Sequence, residues 1–88
     1  MNVHRIGDPN SAGAPVVGSL QTRVFVNGQI VAVDGSPVAG HGTGTHSNPI
    51  TTSGSLRVYA GGFPVNRQGD PDSCGHIRVG GSPNVFVG

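Results

Sequence analysis

Val24-Phe25-Val26-Asn27-Gly28-Gln29-Ile30-Val31-Ala32-Val33 is the stretch that decides the fold. Runs of β-branched and aromatic residues flank Asn27-Gly28, and both central residues of a two-residue type I′ turn need positive φ, which Asn and Gly adopt most readily. The stretch reads as a β-hairpin. It also recurs: Gly18-Ser19 leads into it, Gly54-Ser55 leads into Val58-Tyr59-Ala60-Gly61-Gly62, and Gly81-Ser82 leads into Val85-Phe86-Val87-Gly88. Each copy centres on an aromatic between small apolar residues, and Gly61-Gly62 takes the place of Asn27-Gly28. The third copy reaches Gly88 where its turn would begin, so its strand is expected to pair with an element built earlier. A second phrase punctuates the spaces between copies: Gly7-Asp8-Pro9, Asp34-Gly35-Ser36-Pro37 and Gly69-Asp70-Pro71 read as turns. Three related β units predict approximate threefold symmetry within one chain. Their spacing is 36 residues from Gly18 to Gly54 but 27 from Gly54 to Gly81, which places an insertion at about residues 40–53.

Composition agrees with this reading. All five cations are Arg and all four anions Asp, with no Lys and no Glu, while 13 Val stand against two Leu. Good helix formers are scarce, and 16 Gly with seven Pro interrupt every long window, so long helices are excluded and an all-β domain of short strands is expected. The 88 residues suffice for one domain, and a net charge of +1 lacks the imbalance of a disordered chain or a nucleic-acid surface. No apolar run approaches the ~20 residues of a membrane-spanning helix, and residues 1–13 lack the apolar core of a signal peptide. A small Val-rich core needs reinforcement, and a single Cys excludes an intrachain disulfide, which leaves a metal or a partner chain.

Four histidines and that cysteine are the candidates for a metal. His41 and His46 stand in Gly40-His41-Gly42-Thr43-Gly44-Thr45-His46, at a spacing within the range of zinc pairs on a Gly-rich loop. Cys74-Gly75-His76 is the second pair; in an extended segment its two side chains share one face. Together they make a closed tetrahedron of three imidazoles and one thiolate, a structural arrangement with no position left for water. The competing reading has Cys74 as a small core residue and the histidines as solvated loop residues. His4, isolated near a terminus, reads as exposed. Without Lys and Glu most general bases and the phosphate-loop lysine are missing, Asp70 and Asp72 read as turn caps, and the glycines of residues 40–44 read as loop formers rather than a phosphate cradle.

The order of these pieces resembles the PAAR-repeat proteins, which cap the central spike of contractile phage tails and type VI secretion machines. The resemblance rests on Gly7-Asp8-Pro9, the recurring Gly-Ser…Val-Phe-Val-Asn-Gly phrase, the His41/His46 loop, and Gly69-Asp70-Pro71-Asp72-Ser73-Cys74-Gly75-His76 followed by Gly81-Ser82-Pro83-Asn84-Val85-Phe86-Val87. It implies a single PAAR-like domain over residues 1–88, a small β cone of three hairpin units. One Zn2+ held by His41, His46, Cys74 and His76 would fix its vertex. Ile30-Val31-Ala32-Val33 stands where the family often shows Pro-Ala-Ala-Arg. Residues 10–15 lack the opening-loop His of many relatives, which leaves His76, or else His4, as the fourth ligand.

The resemblance further implies a structural, non-enzymatic role: a membrane-piercing tip docked, one copy on three chains, on a trimeric β-helical spike. Phe25, Tyr59 and Phe86 are either core residues or, through their threefold recurrence, the contacts to that trimer. The target membrane would be met transiently, with no nucleic acid and no small-molecule substrate among the partners. The expected location is a virion tail tip, or the cytoplasm before export with a secretion spike, and no appended toxin domain is expected. The alternatives are a zinc-stabilised β adaptor tethering cargo or effector proteins and, less favoured by the residues, a zinc or Cys/His hydrolase.

Overall fold

Asn27 and Gly28 adopt φ values of 54° and 77°, the left-handed pair that a type I′ turn demands. In the computed structural model, which describes residues 1–88 apart from the Thr45 side chain, they fold β1 (Phe25–Val26) onto β2 (Gln29–Ile30). Phe25 lies opposite Ile30 and Val26 opposite Gln29. Gly61 and Gly62, at 59° and 87°, do the same for β3 (Tyr59–Ala60) and β4 (Phe63–Pro64), pairing Tyr59 with Pro64 and Ala60 with Phe63. The third copy pairs with the first residues of the chain. Val3 N–H donates to Val85 O at 3.0 Å, Val87 N–H to Met1 O at 2.9 Å, and Asn2 lies opposite Phe86. The only helical element among the described residues is a single 3-10 turn, Gly44–His46.

Beyond each hairpin the chain crosses the middle of the molecule, and the three crossings close on one another. His4 N–H donates to Asn66 O (3.0 Å), Asn66 N–H to Ala32 O (2.9 Å) and Ala32 N–H to His4 O (3.0 Å). Bridges Val3↔Arg67, Arg5↔Val31 and Val33↔Val65 flank this cycle. Each crossing then meets its Asp or Ser turn, where a side-chain oxygen returns to the chain: Asp8 Oδ2 accepts from Arg5 N–H, Ser36 Oγ from Val33 N–H and Asp70 Oδ2 from Arg67 N–H, at 2.9, 3.0 and 2.8 Å. Arg5 and Arg67 also fork onto Asp8 and Asp70 at 2.9 Å, so these carboxylates hold the guanidinium pKa values above their usual range.

Valine makes the core. Val3, Val31, Val33, Ala60 and Val65 form one buried cluster, and Ala14, Val16, Ala32 and Val38 a second. Phe25, Tyr59 and Phe86 are 55, 57 and 60% exposed, which overturns the core reading of the three aromatics. Strand alternation explains it: the valines on either side, Val24 and Val26, Val58, and Val85 and Val87, line an apolar hollow of about 110 Å³ and turn Phe25 and Phe86 outward, while Tyr59, though exposed, borders the hollow. The Gly-Ser phrase needs one correction. Ser55 Oγ accepts from the N–H groups of Arg57 and Val58, and Ser82 Oγ from those of Asn84 and Val85. In the first copy Gln21 Oε1 does this for Arg23 and Val24, both at 2.8 Å. Ser19 stands two residues too early to reach them and donates to Val31 O at 2.9 Å. The whole molecule measures 32 × 23 × 23 Å, with a radius of gyration of 11.3 Å against about 12 Å for an ordinary domain of this length.

Candidate metal centre

Glycine closes the first ligand loop. His41 N–H donates to His46 O at 2.9 Å, and a Cβ at Gly40 would lie 2.6 Å from Ser47 O, so only glycine permits the chain to double back there. The short 3-10 turn, with Gly44 at φ 61°, then brings the His46 ring beside that of His41. The second candidate segment is a tight turn and not the extended stretch in which Cys74 and His76 would share a face by alternation. Gly75, at φ 90°, donates its N–H to Asp72 O at 2.9 Å, and Asp72 N–H donates to His76 O at 2.7 Å. Cys74 and His76 still face one point because they ride on the tip of this turn.

One ligand atom from each of His41, His46, Cys74 and His76 lies within 4.8 Å of all the others, and all four residues are half-buried. The three imidazole centroids stand 5.0, 5.0 and 5.1 Å apart. His46 Nδ1 is 3.1 Å from His41 Nε2, and Cys74 Sγ is 3.7 Å from the same atom. Metal bonds of about 2.0–2.3 Å in a tetrahedron set ligand atoms roughly 3.3–3.8 Å apart, so the spacing fits a metal ion, as does a donor set of three nitrogens and one sulfur. The competing reading of solvated loop histidines does not describe rings gathered this closely.

The outward-facing ring nitrogens select which atoms turn to the site. His41 Nδ1 donates to Ala39 O at 3.1 Å, leaving Nε2 as the atom that could take a metal. His76 Nδ1 lies 3.1 Å from Ser11 Oγ, which also accepts Ile77 N–H at 3.2 Å, and this leaves His76 Nε2 for the metal. Ser11 thus sits in the opening loop where the resemblance implied a His ligand, and it steadies the His76 ring from behind. Nothing in the sequence singled it out. Ser11→Ala is expected to weaken metal binding about 10–100-fold in a chelator competition, and Ser11→Thr to restore it.

Beneath the centre lies a buried polar group that the sequence reading missed. Arg78 Nη2 meets Asp72 Oδ2 at 2.7 Å with both side chains fully buried, Asn10 Nδ2 donates to the same oxygen at 2.8 Å, and Arg78 Nη1 donates to Asp8 O at 3.3 Å. Asp72 is therefore an ion-pair partner as well as a turn residue, whereas Asp70 caps its turn as expected. The pair clamps the two ends of the Cys74–His76 turn. His4 is 0% exposed, which overturns its reading as a surface residue, and it stands outside the four-residue group. The hydrogen-bonded cycle fixes its backbone in the interior. Burial, with the Arg78 charge adding to it, lowers the His4 pKa and keeps the ring neutral.

No curated protein matches the chain. A model of the PAAR motif family matches residues 6–77, a span that takes in most of the hydrogen-bonded crossings, the second apolar cluster and all four of the converging ligands. The chain therefore belongs to the PAAR-motif family.

Proposed function

We propose that this protein is the structural tip of a contractile injection machine, a phage tail or type VI secretion apparatus, seated on the end of a trimeric β-helical spike. Family membership supports a spike-tip role, and the exposed aromatics around an apolar hollow carry the docking step. The three strand pairs, three crossings and three capped turns are read as pseudo-threefold units of a cone. Such a base offers each chain of a trimer a similar surface, one aromatic apiece from Phe25, Tyr59 and Phe86.

The metal centre belongs at the other end. The second apolar cluster leads from Ala32 in the cycle to Val38 and, with Ala39 packed against it, stops two residues short of His41. A vertex encloses too few residues for a core, and a site of three His and one Cys closed to water is what a structural Zn2+ takes. His41, His46, Cys74 and His76 would hold that ion, which supplies cross-links and no chemistry of turnover. The protein transmits force from the spike to a membrane and consumes no substrate. The test is stoichiometry: metal-loaded protein mixed with the spike trimer is expected to form a 1:3 complex by native mass measurement. Failure to bind the trimer with metal present overturns the reading.

A further inference from the structure

All four Asp carboxylates are engaged. Asp8, Asp70 and Asp72 pair with Arg5, Arg67 and Arg78, and Asp34 Oδ1 accepts from Gly54 N–H and Asn66 Nδ2, both at 2.8 Å. Two exposed guanidiniums, Arg23 and Arg57, are left with no ion pair among the described residues. Their positions match. Each follows by two residues the side chain that caps its loop, Gln21 or Ser55, and each directly precedes a valine of the apolar hollow, Val24 or Val58. Arg23 shares a surface groove with Gly61 in the β3–β4 turn, and Arg57 packs beside Gly88 at the end of the third strand. The corresponding third position is Asn84, whose Oδ1 accepts from Asn27 Nδ2 of the β1–β2 turn at 2.9 Å. The clefts between neighbouring hairpins thus hold two free cations and one neutral amide, on the margin of the face that carries Phe25, Tyr59 and Phe86.

From this margin we infer that the docking partner is a threefold protein end with an apolar centre and an acidic rim, one Asp or Glu per chain, two of which pair with Arg23 and Arg57. The inference rests on the docking reading above and adds the partner's charge pattern to it. Rim pairs of this kind act chiefly on encounter rate and on salt dependence, since exposed ion pairs are individually weak and screened.

The test uses the full-length, metal-loaded chain and the spike trimer, with association followed at about 50 and about 500 mM NaCl, on either side of the ionic strength at which surface charges are largely screened. Arg23→Gln/Arg57→Gln is expected to weaken the complex about tenfold at the lower salt, mostly through slower association, with the gap closing at the higher salt and the melting temperature unchanged. A wild-type complex that forms normally, ignores salt and is unaffected by the double substitution overturns the acidic rim while leaving the docking reading intact. Absence of any wild-type complex overturns both. A double substitution that spares the spike complex but abolishes binding to phosphatidylglycerol vesicles would assign the two arginines to lipid and likewise overturn the rim.

Discussion

Cys74→Ser is expected to strip the protein of its metal and to lower its melting temperature by about 20 °C or more, and His46→Ala to do the same. A structural zinc contributes an apparent ~10–16 kcal/mol to folding, comparable to the whole stability of a typical domain, and about 4–8 °C is lost per kcal/mol at this size. Either substitution removes a bond from a site where all four ligand atoms lie within 4.8 Å of one another. Elemental analysis and thermal unfolding of chelator-free protein check the two effects together. Full metal retention in either variant would mean that another residue completes the site.

The second large effect belongs to Asp72→Ala. Removing one member of a fully buried pair strands the other charge in the interior, and such losses run to about 3–5 kcal/mol. Urea unfolding measures it directly. Asp72→Leu/Arg78→Met removes both charges and is expected to recover most of the loss, because the penalty lies in the orphaned guanidinium. The single substitution should also weaken metal binding, since the pair fastens both ends of the turn that presents Cys74 and His76. Wild-type stability in Asp72→Ala would show that water or a neighbouring backbone group replaces the carboxylate.

Local chemistry was legible in the sequence and long-range polar pairing was not. Asn27-Gly28 announces its hairpin because the turn's backbone demand is met by two adjacent residues, and the four ligands stand out because imidazole and thiol are scarce in this chain. The acceptor role of Gln21 was hidden by a Gly-Ser phrase that repeats in letters but sits two residues out of register. Asp72 and Arg78 are six residues apart across a turn, and the contact of Asn10 to Asp72 spans 62 positions, so no spacing rule joins them. His4 looked peripheral for the same reason: its backbone is tied to Ala32 and Asn66, and its ring lies against Arg78 and Gly81, all far along the chain. The aromatics misled because bulk usually marks a core, whereas here the interior is narrow enough for valine to fill.

The cycle through His4, Ala32 and Asn66 bears on how the molecule is made. Its links join His4 to partners 28 and 62 positions along the chain, and Val85–Val87 lie against residues 1–3. Until Asn66 is in place the loop of contacts stays open, so the domain is expected to fold slowly, as chains dominated by distant pairings do. Once shut, the ring fastens three distant stretches of backbone to one another, and unravelling has to part all three.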